Sequence, residues 1–258
     1  MAEPSAVYGV IRVGHGSGEL RVNDIPIYRT TIEDGIRTFA IPIHEYLVDG
    51  ENTIKLIAIP PDPEAPGAFE AQARVARFRE GEFLNFEEGE GFAHVVWEPS
   101  LGLRPIAQRF AMDWPHRWVW ESAPEIALDE SVRSVLDDFV AEMHAAYLAR
   151  DPEPILARMA IMLKETADAY PPPMEAGDGA ELREGFARDW PVWSAVPFAP
   201  HPENYRLAAD GRLVECVGPD GLALIRNLNH PDEAVPDLPY FPVPMMVAFK
   251  GGEPVIVR

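Results

Sequence analysis

The spacing of apolar residues changes once along this chain, and that change limits its fold more than any other feature. Up to about residue 122 the apolar pattern is that of strands, as where Ile54, Leu56 and Ala58 alternate with Lys55, Ile57 and Ile59. Beyond Ala123-Pro124 the spacing is helical, through Val132, Val135, Leu136, Phe139, Val140, Met143 and Tyr147. We therefore expect two domains: an all-β sandwich over residues 1–122 and an α+β domain over 123–258, its helices packed on a curved antiparallel sheet. The length of 258 residues gives room for both cores. The 27 prolines, about double ordinary usage, favour turns, extended segments and sheet edges.

In the first part, strands are expected over 7–13, 36–43, 53–59, 69–79 and 92–97. A further extended run is marked by Leu20, Val22, Ile25 and Ile27. Gly14-His15-Gly16-Ser17-Gly18 reads as a hairpin loop between the first two runs. It lacks the third glycine of a dinucleotide loop, because position 19 is Glu, and no helix follows it. With His at position 15 it also lacks the spacing of a nucleophile elbow. Residues 60–67, with four prolines and a glycine, must be loop.

The run Arg21-Val22-Asn23-Asp24-Ile25-Pro26, followed by Leu47-Val48-Asp49-Gly50-Glu51-Asn52-Thr53-Ile54, resembles the galactose-binding-like jelly-roll modules. In those modules a Val-Asn-Gly turn precedes a Gly-Glu-Asn turn that leads into a buried strand. Asp24 stands where glycine is usual. The resemblance covers about 40 residues and implies a jelly-roll-like fold more than an activity. Asn52 is expected to cap its turn through its side-chain amide.

Helices are expected after Asp129 or Ser131 and after Asp151-Pro152, the second ending at Tyr170 before three prolines. A short helix is expected over 181–189. Strands over 205–208, 213–217 and 222–226 should form a meander, with 227–239 as loop. A closing hairpin should join 243–249 to 254–257 over Gly251-Gly252. In its order, helices first and an antiparallel sheet after, this part resembles the cone-shaped fold of the nuclear transport factor-like superfamily.

Candidate chemistry is sparse. Helical-wheel geometry puts His144 at the solvent boundary and Asp168 opposite the apolar face, so the two make no acid–base pair. His201-Pro202-Glu203 and His230-Pro231-Asp232 read as turns rather than metal ligands. Cys216, the single cysteine, stands beside Glu215, which raises a thiol pKa, and is expected to pack. Trp114, His116, Trp118 and Trp120 fall on one face of an expected strand, with Trp190 and Trp193 downstream. This group is the candidate ligand or partner surface, against a reading as interdomain packing. No cofactor, metal or catalytic set is expected.

The formal charge of −20 is spread over the whole chain and disfavours nucleic acid as a partner. No membrane span is expected, and the first residues lack a signal peptide, so the expected compartment is the cytoplasm. The expected function is non-catalytic binding of a basic protein partner, in the manner of an immunity protein. The alternative is a small-molecule hydrolase or isomerase with its pocket in the C-terminal domain. The two differ in whether that pocket is open and polar or is filled by Met143, Tyr147, Met159 and the tryptophans.

Overall fold

The computed structural model describes residues 5–170, 183–184, 193–219, 221–229 and 242–258. The protein is mostly β, and its largest feature is a strand-rich, barrel-like sheet. By its internal contacts the chain divides into two compact units, Met1–Arg117 and Trp118–Arg258.

The first unit holds β1 (Ser5–Val22), β2 (Ile25–Pro42), β3 (Gly50–Ile59), β4 (Glu70–Arg79), β5 (Glu90–Val96) and β6 (Ile106–Met112). These run in the order β5-β4-β1-β3-β6, with β2 also on β1. Two 18-residue strands joined by two residues dominate it. Asn23 and Asp24, at φ 51° and 60°, make the joint, the paired left-handed conformation of a tight hairpin.

β2 follows one edge of β1 along most of its length. The other edge is divided: Ser5–Gly14 pairs with β4, and Ser17–Val22 with β3. The division falls at His15, which has φ 53° and stands opposite three residues of β2, Glu33-Asp34-Gly35, Gly35 at φ 74°. This is a bulge, and it reverses the side-chain alternation. Val7, Ile11 and Val13 face the core before it, and Leu20 and Val22 after it. The expected hairpin loop at 14–18 is therefore corrected. The chain bends there and continues as the same strand, because a shift of parity and a turn both interrupt a period-2 pattern.

Asn23 and Asn52 lock the sheet at its hairpin end. Asn23 Nδ2 donates to Asn52 Oδ1 and to the Tyr46 carbonyl, each at 2.8 Å, while Asn23 Oδ1 accepts the Thr53 N–H at 2.9 Å. Asn52, fully buried, also accepts the Val48 N–H and donates to the Val48 carbonyl, both at 2.8 Å.

In the second unit α1 (Glu130–Ala149) starts at Asp129, whose carboxylate accepts the Val132 N–H. α2 (Pro152–Ala169) starts at Asp151, with proline in its first turn. One four-stranded sheet runs β13 (Glu253–Ile256), β12 (Met246–Lys250), β9 (Leu213–Cys216), β8 (Tyr205–Ala208). A three-stranded sheet runs β11 (Pro242–Val243), β10 (Ile225–Asn229), β7 (Trp193–Ala195). One core takes Leu136, Phe139, Met143 and Tyr147 from α1, Ile155 and Met159 from α2, and Tyr205, Val214, Val247 and Ile256 from the larger sheet.

Three expectations fail locally. The third strand of the meander joins β7 and β11 instead, leaving a single bridge from Val217 to Ala223, because β9 already pairs with β8 on one edge and β12 on the other. Residues 227–229 extend that strand rather than opening a loop. Pro244 splits the expected strand over 243–249 into β11 and β12. The helix expected over 181–189 lies outside the described residues except at 183 and 184, which are helical.

Candidate functional site

The row Trp114, His116, Trp118 and Trp120 does not lie on a strand. Its expected strand is absent: the strand of this stretch is β6, and 113–118 has no regular structure. Pro115 interrupts any ladder, and Val119–Ser122 is a 3-10 turn. Trp114 belongs to the first unit, half-buried on its core, with the His44 ring 5.1 Å away edge-on and His116 at 5.8 Å. Trp118 and Trp120 belong to the second unit and are 3% and 4% exposed. Trp190 lies outside the described residues, and Trp193 is described only as backbone opening β7.

Apart from the Trp120 indole N–H, which is buried without a partner among the described residues, the buried side chains of Glu165, Arg258, Tyr205 and His144 in the second unit are bonded. Glu165 of α2 meets Arg258 at 2.6 Å and accepts the Val119 N–H, also at 2.6 Å. The Arg258 guanidinium lies 5.1 Å above the Trp118 ring. Tyr205 donates to Asp137 at 2.6 Å. Burial first, and that carboxylate second, push the phenol far above its ordinary range, so it stays protonated. His144 is buried rather than at the solvent boundary, because its Nε2 meets the Val196 carbonyl at 2.8 Å. That partner lies 52 residues away, where a helical wheel carries no information. Asp168 is exposed and paired with Lys164. Cys216 is buried in the core, and burial followed by the Glu215 charge raises its thiol pKa well above the reactive range. The His201 ring accepts the Glu203 N–H, a turn contact; His230-Pro231-Asp232 lies outside the described residues. Among the described residues no cluster of three or more His, Cys, Asp or Glu side chains is placed to hold a metal.

A different element projects from the first unit. Between β4 and β5, residues 79–90 carry five glutamates against one arginine, and their Phe83 is 74% exposed beside exposed Leu84. The loop is held in shape. Glu82 accepts the Arg79 N–H, Glu88 accepts the Phe83 N–H, and Asn85 accepts from Glu87 and Glu88. Below it, the buried Arg74 of β4 donates to the carbonyls of Phe86 and Gly89. Phe86 packs on Val10, Ala76 and Phe78. Gly89 (φ 77°) passes so close to β4 that a Cβ there would stand 2.8 Å from the Arg77 carbonyl and the Phe78 ring. Beside the loop, His94 has its pKa lowered, first by burial and then by the Arg74 charge.

Sequence reasoning passed over this loop because its glutamates merge into a chain acidic throughout. The available signal was an apolar pair, Phe83-Leu84, inside a polar loop. No protein-family model, curated protein or solved structure matches the chain. No helix among the described residues is long and apolar enough to cross a membrane.

Proposed function

We propose that this chain is a non-catalytic binding protein of the cytoplasm that captures a basic protein partner, in the manner of an immunity protein. The observation that carries the reading is the 79–90 loop: a held, glutamate-rich surface with an exposed aromatic at its tip. Exposed aromatics supply contact area, while surrounding carboxylates steer an oppositely charged partner. Arg74 and the loop's internal hydrogen bonds fix its shape beforehand, so less conformational freedom is lost on binding. A jelly-roll-like sandwich over 1–122 serves as the platform in this reading, and the α+β, cone-like part over 123–258 accompanies it.

The packing of the second unit favours binding over catalysis. Met143, Tyr147 and Met159 lie in its core, and Asp137, Glu165 and His144 are bonded to Tyr205, Arg258 and the Val196 carbonyl. A hydrolase or isomerase would need a polar group facing an open cavity.

The test is capture from the source cell at low and high salt, with wild type beside Phe83→Ala and a Glu87→Gln/Glu88→Gln double variant. A basic protein retained by wild type, released by salt and lost by both variants supports the proposal. A small metabolite co-purifying with the chain, with no protein retained, overturns it in favour of the enzyme. A partner held equally by Phe83→Ala removes the loop as the site.

A further inference from the structure

The first unit holds a histidine whose bonding is open only to its neutral form. His44, on the 3-10 turn after β2, is 4% exposed, and its Nε2 accepts the Val7 N–H at 2.8 Å. A proton on Nε2 would set two donors against each other. The bond stands in for a rung of the ladder. Ile43 N donates to the Val7 carbonyl at 3.1 Å, and the imidazole takes the N–H that the reciprocal rung would have used.

The same ring packs edge-on against Trp114 at 5.1 Å. Around Trp114, the backbone N–H of that residue and the Arg117 guanidinium both bind the Asp49 carboxylate at 3.2 Å. One imidazole thus fastens the start of the first strand to the segment that follows the last strand of its unit. Charged and titratable groups near it include Glu45 and Tyr46 on its own turn, and Asp49, His116 and Arg117 around Trp114. Its bonded partner on β1, Val7, carries no charge.

We propose that His44 is a proton-operated latch: neutral, it holds Val7 and seats Trp114, and protonated it releases both. Burial adds to the effect, because a charged imidazole is poorly solvated there. The neutral ring is needed for the closed form, so closure is complete above the ordinary histidine titration near pH 6.5 and weakens as pH falls. The weakening is at most about tenfold per pH unit, the limit for one proton.

The experiment is a titration of the full-length protein from pH 7.5 to 5.5 by nitrogen-15 NMR, following the His44 ring nitrogens, the Val7 amide and the Trp114 indole. The expected result is that Val7 and Trp114 change together as His44 gains its proton. In His44→Gln, whose carboxamide oxygen accepts the same N–H at every pH, both signals should stay constant. His94→Asn and His116→Asn should keep the wild-type response. The proposal is overturned if His44 titrates while Val7 and Trp114 stay fixed, or if it remains neutral until the unit unfolds. It is equally overturned if His44→Gln keeps the response, or if His94→Asn or His116→Asn abolishes it. Should His44→Gln fail to fold, the coincidence of the three wild-type signals decides.

Discussion

The two units solve the same problem, satisfying buried polar groups, with different materials. In the first, 18-residue strands let backbone pair with backbone over long distances, and a few side chains (Asn23, Asn52, His44 and Arg74) bond the backbone where turns and loops leave it unpaired. In the second, the described strands are two to five residues long. Side chains there do the stitching: Asp137 to Tyr205, His144 to the Val196 carbonyl, and Glu165 to Arg258. Long ladders spread stability over many modest bonds, whereas clasps concentrate it in a few. Point substitutions should therefore cost most at the clasps of the second unit.

The buried ion pair is where that contrast is most exposed to failure. Glu165→Ala takes from buried Arg258 the carboxylate at 2.6 Å and from the Val119 N–H its acceptor, at a cost of about 3–5 kcal/mol. Chemical denaturation should show the loss in the second unit, with the first unit's transition unmoved. A cost below that of Asn52→Ala would reverse the comparison.

Asn52→Ala should cost about 2–3 kcal/mol, since it strands the Val48 N–H and one Asn23 donor beside a fully buried position. An unchanged midpoint would mean that the ladders alone hold the hairpin end. Tyr205→Phe comes next, at about 1 kcal/mol, because half-buried Asp137 loses one bond but keeps access to water. Its raised pKa gives no pH dependence to that loss below the ordinary tyrosine range near 10: the phenol is protonated in folded and unfolded chains alike. Midpoints measured at pH 6 and pH 8 should show equal differences between Tyr205→Phe and wild type.

Local patterns were legible in the sequence; partners far along the chain were not. The caps at Asp129 and Asp151 and the role of Asn52 are short-range chemistry, and the residues themselves announce them. The parity shift between Val13 and Leu20 was also present, but a bulge and a hairpin loop interrupt alternation alike. Only the pairing of β1 with β3 and β4 separates them. Trp114 to Trp120 kept a perfect period of 2 without any strand, since Pro115 and a 3-10 turn decide the backbone there. The 79–90 loop was missed for a related reason: its exposure depends on Arg74, which binds carbonyls 12 and 15 residues ahead.

The smallest expected effect lies at the hairpin joint, and its sign should depend on salt. Asp24 occupies a left-handed position at φ 60°, where glycine sits without strain, so Asp24→Gly removes a backbone cost. It also removes a carboxylate that meets Lys55 at 2.5 Å and Arg21 at 3.4 Å. These groups are partly exposed, so the pairs are worth on the order of 1 kcal/mol or less, comparable with the strain. At low salt the two effects should nearly cancel, leaving the midpoint within about 1 kcal/mol of wild type. Added salt screens the ion pairs over a Debye length of about 3 Å at 1 M but leaves the backbone strain untouched. The glycine variant should therefore gain on wild type as salt rises. Thermal midpoints of both proteins between low salt and 1 M would show it. A difference independent of salt would mean that Asp24 acts only through its backbone, and that charge has no part in closing even the most regular element of the first unit.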